Sequence, residues 1–357
     1  MKQRTKLKLK QLAVITVAWL VVAILMTAYD HIVLLSSNSL GPSQAYSFSL
    51  SLFLNLVSAF MGAMLGGSFL VFFVNTRYRD KSYGYTIVAV ALGYIVVILL
   101  IMMALAMVFV PMRTGKPLSI EGLKIFLMDG TRVKNIAFWS IIVGMTQLLL
   151  QINSKFGQGA LVKIILGKYN TPKEEKRIFM FLDLNESTAM AEQLGDEKYH
   201  ELLKDFFADI TNPILDNKGE IYQYVGDEVI VAWKYEDGIQ NSHCVRCFFD
   251  IKVHIKKLNE KYLHRYGLIP SFKAGIHCGK VVAGEIGIIK RDITYSGDVL
   301  NTTSRILSMC KQLNAEIISS ADLVAELLPS KYSTRPLGSI KLRGKDKEMS
   351  LSALLDV

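Results

Sequence analysis

The chain has 357 residues, 51% of them hydrophobic and 20% charged, with a mean hydropathy of +0.31, which is too apolar for one or two ordinary water-soluble domains. Residues 1–153 hold 13 Lys and Arg against 4 Asp and Glu, and residues 154–357 hold 28 against 27, so the net charge of +10 divides into +9 and +1. A positive excess confined to the flanks of apolar segments excludes the nucleic-acid reading of a basic chain. Four cysteines without paired spacings exclude a disulfide scaffold and fit a reducing compartment.

In chain order, apolar runs at about 11–26, 48–74, 86–110 and 136–152 predict four membrane-spanning helices. Each approaches the ~20 residues a bilayer core requires, and backbone polar groups in lipid must pair within the segment. Lys2, Arg4, Lys6, Lys8 and Lys10, and then Arg77, Arg79 and Lys81, place the amino terminus and the loop after the second span on the cytoplasmic side. The loop 111–135 runs against that rule with Arg113, Lys116, Lys124, Arg132 and Lys134. A four-span arrangement with both ends inside leaves the second half of the chain beside cellular nucleotides. Gly62 and Gly66, with Gly67, form a G-x-x-x-G spacing that suits close helix approach, between copies or within one. Asp30 and His31 read as interfacial residues at a span end.

Between residues 154 and 176, Phe156, Leu161, Ile164, Ile165 and Leu166 recur at helical spacing among Lys155, Lys163 and Lys168. This predicts a short amphipathic helix, either a spacer lying on anionic lipid or a signalling helix paired across a dimer. Gly167 ends it, and Asn170-Thr171-Pro172 separates it from a new unit at 177–357.

That unit alternates strand and helix patterns. Residues 178–182 form an apolar strand with Asp183 at its carboxyl end, followed by a helix from Ser187 to about Ile210 that Pro213 is expected to close. Residues 220–225 and 228–233 read as two strands joined by the two-residue turn Gly226-Asp227. If these strands and the first share one antiparallel sheet, Asp183 and Asp227 converge, and convergent carboxylates beside a glycine turn suit divalent cations. Taken alone, Asp227 is equally a turn residue.

Four blocks carry a resemblance: residues 181–188 (FLDLNEST), 222–228 (YQYVGDE), 272–279 (FKAGIHCG) and 295–305 (YSGDVLNTTSR). In order and spacing they resemble class III nucleotide cyclase catalytic domains, over about 176–357. The apolar runs and the linker pattern give an α-helical membrane domain (1–153) and a linker (154–176), which the resemblance does not cover; the resemblance implies an α+β ferredoxin-like cyclase domain with a βααβ core (177–357). It further implies a homodimer with sites at the interface and two Mg²⁺ or Mn²⁺ ions per site. Asp183 and Asp227, with the Leu184 carbonyl, match the metal ligands, and Asn301 and Arg305 match the transition-state pair. Four residues apart on the helix opened by Gly297, these two share one face, and a planar guanidinium suits a crowded phosphoryl centre. Lys273, Arg343 and Lys345 match triphosphate-binding positions and could equally be solvated loop charges.

Base recognition falls to Gln223 and Thr294, three residues before Gly226 and Gly297. Gln is atypical where adenylyl cyclases carry Lys and guanylyl cyclases Glu. Its amide can serve either purine edge, but its neutrality and the match of Thr294 to bacterial adenylyl cyclases favour ATP over GTP. The chain therefore resembles a bacterial-type adenylate cyclase of the inner membrane with its catalytic domain in the cytoplasm. A small or lipid ligand, or a partner membrane protein, is the expected regulator, and no nucleic-acid partner is expected. The rivals are a guanylate cyclase, a degenerate cyclase module serving as receptor or dimerisation unit, and a diguanylate cyclase, whose pattern fails after Glu228. His243, Cys244 and Cys247 lie on a helix predicted from about 238 to 266 and read as packing residues rather than a zinc site; His277 and Cys278 read as core.

Overall fold

The computed structural model describes all residues except 1–2, 37–46, 75–76, 78–80, 116–118, 121–122, 124–129, 158–161, 163, 165, 290, 328–331 and 357. The chain divides into two compact units at about residue 161.

The first unit is helical. Helix α1 spans Gln3–Ser36, α2 spans Phe48–Gly62 and runs on through π-helical turns to Val74, α3 spans Tyr83–Thr114, and α4 spans Gly130–Phe156. Four segments, Gln3–Ser36, Phe48–Val74, Tyr83–Met112 and Val133–Lys155, are long and apolar enough to cross a membrane. They exceed the predicted runs because Lys, Arg and Gln at the ends are good helix formers and prolong the backbone ladder past the apolar stretch.

The G-x-x-x-G motif packs within the chain. A Cβ on Gly66 would lie 1.9 Å from the Tyr94 ring and one on Gly62 would lie 2.9 Å from its hydroxyl, and that hydroxyl donates to the Gly62 carbonyl at 3.0 Å. Trp19 meets Tyr94 edge-on at 5.6 Å and donates to Thr146 at 3.1 Å, while Asn55 donates to Thr27 at 2.8 Å. Asp30 is paired with Lys134 at 2.5 Å, which compensates one of the cations that oppose the orientation rule. Lys116 and Lys124 of that loop lie outside the described residues.

The second unit is a mixed α/β layer structure. Strand β1 spans Lys173–Leu184, so it begins within the stretch expected to be linker; of the predicted amphipathic linker helix, residues 154–156 belong to α4 and 158–161, 163 and 165 lie outside the described residues. Helices α5 (Ser187–Leu194) and α6 (Asp196–Asp216) lead to the hairpin β2 (Glu220–Val225) and β3 (Glu228–Lys234). A short helix α7 (Tyr235–Ile239), then α8 (His243–Lys257) and α9 (Asn259–Tyr266), precede β4 (Phe272–Ile286) and β5 (Asp292–Ser296). Helix α10 (Asp298–Gln312), β6 (Ile317–Ser320), α11 (Ala321–Glu326), β7 (Tyr332–Ile340) and β8 (Met349–Asp356) complete the unit. The sheet order is β2-β3-β1-β4-β6-β8-β7, with β5 paired to β4. Its first four strands, all antiparallel, reproduce the predicted βααβ-type ferredoxin-like core.

Alternation along β1 divides the core. Ile178, Met180 and Leu182 face α6 and α8, with Phe206, Trp233 and Phe248, and Phe179 and Phe181 face α10, with Val299, Ile306 and Leu307.

Two predicted helices differ in detail. Pro213 does not close its helix: it lies inside α6, which runs to Asp216. Its buried ring costs one ladder bond, and Asn217 caps the end through two bonds to the Pro213 carbonyl, from its backbone N–H at 3.1 Å and its side chain at 3.0 Å. The break falls instead at Gly195, whose φ of +74° turns the chain between α5 and α6. The helix expected over 238–266 is interrupted by left-handed Asn241 and Ser242 and again at Leu258. Cys244 and Cys247 are buried, unbridged core residues, and burial pushes the Cys244 thiol up to about 12. His277 is only half-buried and bonds through Nδ1 to Ser320 Oγ at 2.8 Å.

Candidate active site

The first cluster forms where β1, β3 and β4 end together. Register places Asp183 of β1 opposite Glu228 of β3 on one side and Lys273 of β4 on the other. The Gly226-Asp227 turn, with Gly226 at φ +62°, brings Asp227 to the same end. Lys273 Nζ lies 2.9 Å from Asp183 Oδ2. Burial pushes the Asp183 carboxyl up, Lys273 pulls it down, and the charge of Asp227 and a hydrogen bond with it push it up again, for a net upward shift. Glu228 is pushed up to about 7, first by burial and then by the charges of Asp183 and Asp227. The sequence reading did not single out Glu228. A two-residue turn makes it the first paired residue of β3, but its position opposite Asp183 depends on a pairing between strands more than 40 residues apart.

This donor set fits a divalent cation. Burial first, and then the neighbouring negative charge, raises two carboxyl pKa values, and the ammonium of Lys273 beside them shows where a cation is favoured. Among the described residues no three His, Cys, Asp or Glu side chains are grouped as a ready cation cage. Two carboxylates completed by a carbonyl and by substrate oxygens is how Mg²⁺ is usually held. The Leu184 side chain is buried, so that residue can offer only its backbone.

The second cluster lies on α10. Gly275 and Gly279 of β4 let this helix lie against the sheet, since a Cβ at Gly275 would fall 2.5 Å from Leu307 N and one at Gly279 would fall 2.5 Å from the Val299 side chain. Thr302 and Thr303 are buried toward the sheet, Asn301 is exposed and Arg305 half-buried. Gly344, at φ +67°, brings its loop against Arg305, and a Cβ there would lie 3.4 Å from Nη2. On that loop Arg343 is exposed, and Lys345 pairs with Asp298, holding its carboxyl below the ordinary range. The structure thus gathers Arg305 and the 343–345 loop, and separately Asp183, Asp227 and Lys273. Among the described residues no ion pair joins Arg305 to Asp183 or Asp227.

The third cluster carries Gln223 and Thr294. Gln223 is exposed on β2, just past a bulge at Tyr222, and the Thr294 hydroxyl on β5 is buried without a hydrogen-bond partner among the described residues. The residues beside them meet: the Tyr222 and Tyr295 rings pack at 5.0 Å, and the Tyr295 N–H donates to the Tyr222 hydroxyl at 3.3 Å.

Fold and site together define a nucleotide-cyclase type of domain. Residues 170–353 match the family model described as the adenylate and guanylate cyclase catalytic domain, and the chain belongs to that family. It is 35% identical over 207 residues to adenylate cyclase 2 of Rhizobium meliloti (strain 1021), covering 58% of this chain and 57% of that protein. It is 30% identical over 180 residues to the adenylate cyclase of Anabaena cylindrica, covering 48% of this chain and 35% of that protein. The chain therefore spans between about a third and somewhat over half of these relatives' length. A solved bacterial light-regulated adenylyl cyclase shares the fold at a TM-score of 0.54 and 20% identity, covering 64% of this chain and 67% of that one.

Proposed function

We propose that the chain is a membrane-anchored adenylate cyclase that converts ATP to 3′,5′-cyclic AMP and pyrophosphate at a homodimer interface. Residues 1–153 would be the anchor and 177–357 the catalytic domain on the cytoplasmic side of an inner membrane. The observation that carries this reading is the crowding of Asp183 and Asp227 beside Lys273 at one end of the sheet. Four long apolar helices support the anchor, and the curated adenylate cyclases above support the substrate.

Asp183, Asp227 and the Leu184 carbonyl would hold two Mg²⁺ or Mn²⁺ ions, which when bound neutralise phosphate charge and acidify the ribose 3′-hydroxyl. Gln223 and Thr294 of one subunit orient the adenine so that the 3′-oxygen of the same nucleotide faces its α-phosphorus in line. The 3′-hydroxyl gives its proton to solvent water and its oxygen bonds to that phosphorus as the bond from the α-phosphorus to the bridging oxygen breaks, that oxygen leaving with pyrophosphate. Arg305 and Asn301 of that same subunit meet the charge developing on the α-phosphoryl oxygens. Lys273, with Arg343 and Lys345, offsets the charge of the departing pyrophosphate.

A guanylate cyclase is the second reading, favoured by the exposed Gln223 amide, which can present its donor and acceptor in either order. The test is the purified full chain assayed with ATP and GTP under Mg²⁺ and under Mn²⁺, with products separated by chromatography. Asp183→Ala and Arg305→Ala variants are assayed singly and mixed. Asp183→Ala should abolish turnover, and Arg305→Ala should lower kcat by roughly 10²- to 10³-fold. The mixture should recover activity through one intact site per heterodimer. Near-normal activity in Asp183→Ala, or no recovery on mixing, overturns the assignment.

A further inference from the structure

Arg177 is a charged side chain only 1% exposed, on β1 six residues before Asp183. Its guanidinium lies 5.0 Å over the Tyr295 ring. Nε and Nη2 donate to Glu175 at 2.9 and 2.6 Å, and Nη1 lies 3.7 Å from Glu220 at the start of β2. Burying such a group brings little net stability, because desolvation offsets most of the attraction. What Arg177 supplies is therefore position rather than stability. Tyr295 in turn packs on Tyr222 at 5.0 Å with the ring planes tilted by 57°, and Phe179 meets Tyr295 and Tyr222 edge-on at 5.5 and 6.5 Å. Strands β2 and β5 are not paired in the sheet, so ladder bonds do not fix their separation. The Tyr222–Tyr295 contact and the bond from the Tyr295 N–H to the Tyr222 hydroxyl tie them side by side, at the chain neighbours of Gln223 and Thr294. The Thr294 hydroxyl is buried and unpartnered among the described residues, and because such a group is costly to leave unmade, a side-chain rotation toward a ligand that gives it a partner is favoured.

We infer that Arg177, Tyr295 and Tyr222 form a packed positioning cluster that fixes the spacing between the Gln223 amide and the Thr294 hydroxyl and thereby sets the choice between adenine and guanine. This rests on the proposed role of Gln223 and Thr294 as base readers. The three are positioning residues: their work is to hold two polar groups on unpaired strands at one separation. Arg matters here as a flat cation, which can stack on a ring and fork to two carboxylates at once; a Lys ammonium keeps the charge and loses the plane.

The test is steady-state kinetics of the full chain in nanodiscs, with ATP and with GTP, for wild type, Tyr222→Phe, Arg177→Lys and a control, Tyr262→Phe. The control removes a hydroxyl that donates to Asp209 at 2.8 Å in the other half of the core. Tyr222→Phe and Arg177→Lys should raise KM for ATP about three- to tenfold, the equivalent of one hydrogen bond. They should also lower the ATP-to-GTP ratio of kcat/KM and leave kcat for ATP near wild type, since Asp183, Asn301 and Arg305 are untouched. Tyr262→Phe should lower Tm without moving the ratio. An unchanged ratio in folded Tyr222→Phe, or an equal change in Tyr262→Phe, overturns the inference. Should Arg177→Lys fail to fold, Tyr222→Phe, which removes one oxygen atom, decides alone. Wild type inactive on both nucleotides would instead overturn the cyclase reading itself, a failure visible before any variant is compared.

Discussion

Most large apolar side chains that are exposed lie in residues 5–161, whereas the large apolar side chains of residues 162–357 are mostly gathered inside. In the second unit Phe206, Trp233 and Phe248 are fully buried. In the first, Val14, Leu25 and Leu92 are each more than 60% exposed, while the interior holds the Tyr94 to Gly62, Trp19 to Thr146 and Asn55 to Thr27 hydrogen bonds. The same residue types are thus used in opposite senses. In water, apolar burial drives folding; between helices surrounded by hydrocarbon that drive is missing, and close packing of small residues with a few interhelical hydrogen bonds takes its place. The anchor reading rests on that inversion, and it can be broken.

The largest expected effect is on the second unit's core. Phe206→Ala should cost about 3–5 kcal/mol through lost burial and a cavity, read by chemical denaturation followed in that unit, while Leu92→Ala on the outward row of α3 should cost much less. Comparable losses would mean that Leu92 is not facing an apolar solvent. Next, Leu92→Arg should raise the apparent insertion free energy by about 2.5–3.5 kcal/mol, measured in a membrane-insertion assay. Leu263→Arg, a similarly exposed change in the second unit, should alter stability by no more than about 0.5 kcal/mol. Equal tolerance at both positions would remove the case for a bilayer around the first unit. Smaller again, Tyr94→Phe should lose about 1 kcal/mol by removing the bond to the Gly62 carbonyl, seen as a lower Tm in detergent.

The smallest effect is a pH dependence confined to the second unit. Burial pushes the Glu175 carboxyl up, but the hydrogen bond and charge of Arg177 outweigh it and hold the group below its ordinary range. A depressed acid contributes stability that is present above its unfolded pKa and is lost as the pH falls through the folded one. Acid titration of stability should therefore show a shallower slope for Glu175→Gln than for wild type, and identical slopes would sever the Glu175–Arg177 linkage.

Much of the site was legible because its signals are local. Gly226-Asp227 specifies a two-residue hairpin from within four residues, and the hairpin forms as read. Asn301 and Arg305 share a helix face by spacing alone. The buried, unbridged Cys244 and Cys247 followed from the same kind of spacing. Other features were not legible. Pro213 inside α6 and the break at Gly195 depend on what the ring buries against and on how the chain must turn toward β2. That Lys273 rests against Asp183, and Glu228 on its other side, follows from strand register.

The four apolar runs, the change to alternating strands near residue 173 and the cyclase-type blocks were all set by residues close together in the chain, since hydrophobic period and turn chemistry act over a few bonds. Which side chains stand opposite one another was decided by folding. The meeting of Tyr222, Tyr295 and Arg177 joins positions as much as 118 residues apart in sequence. Such a meeting is fixed by how the sheet pairs and curves, and no short window of sequence carries that information.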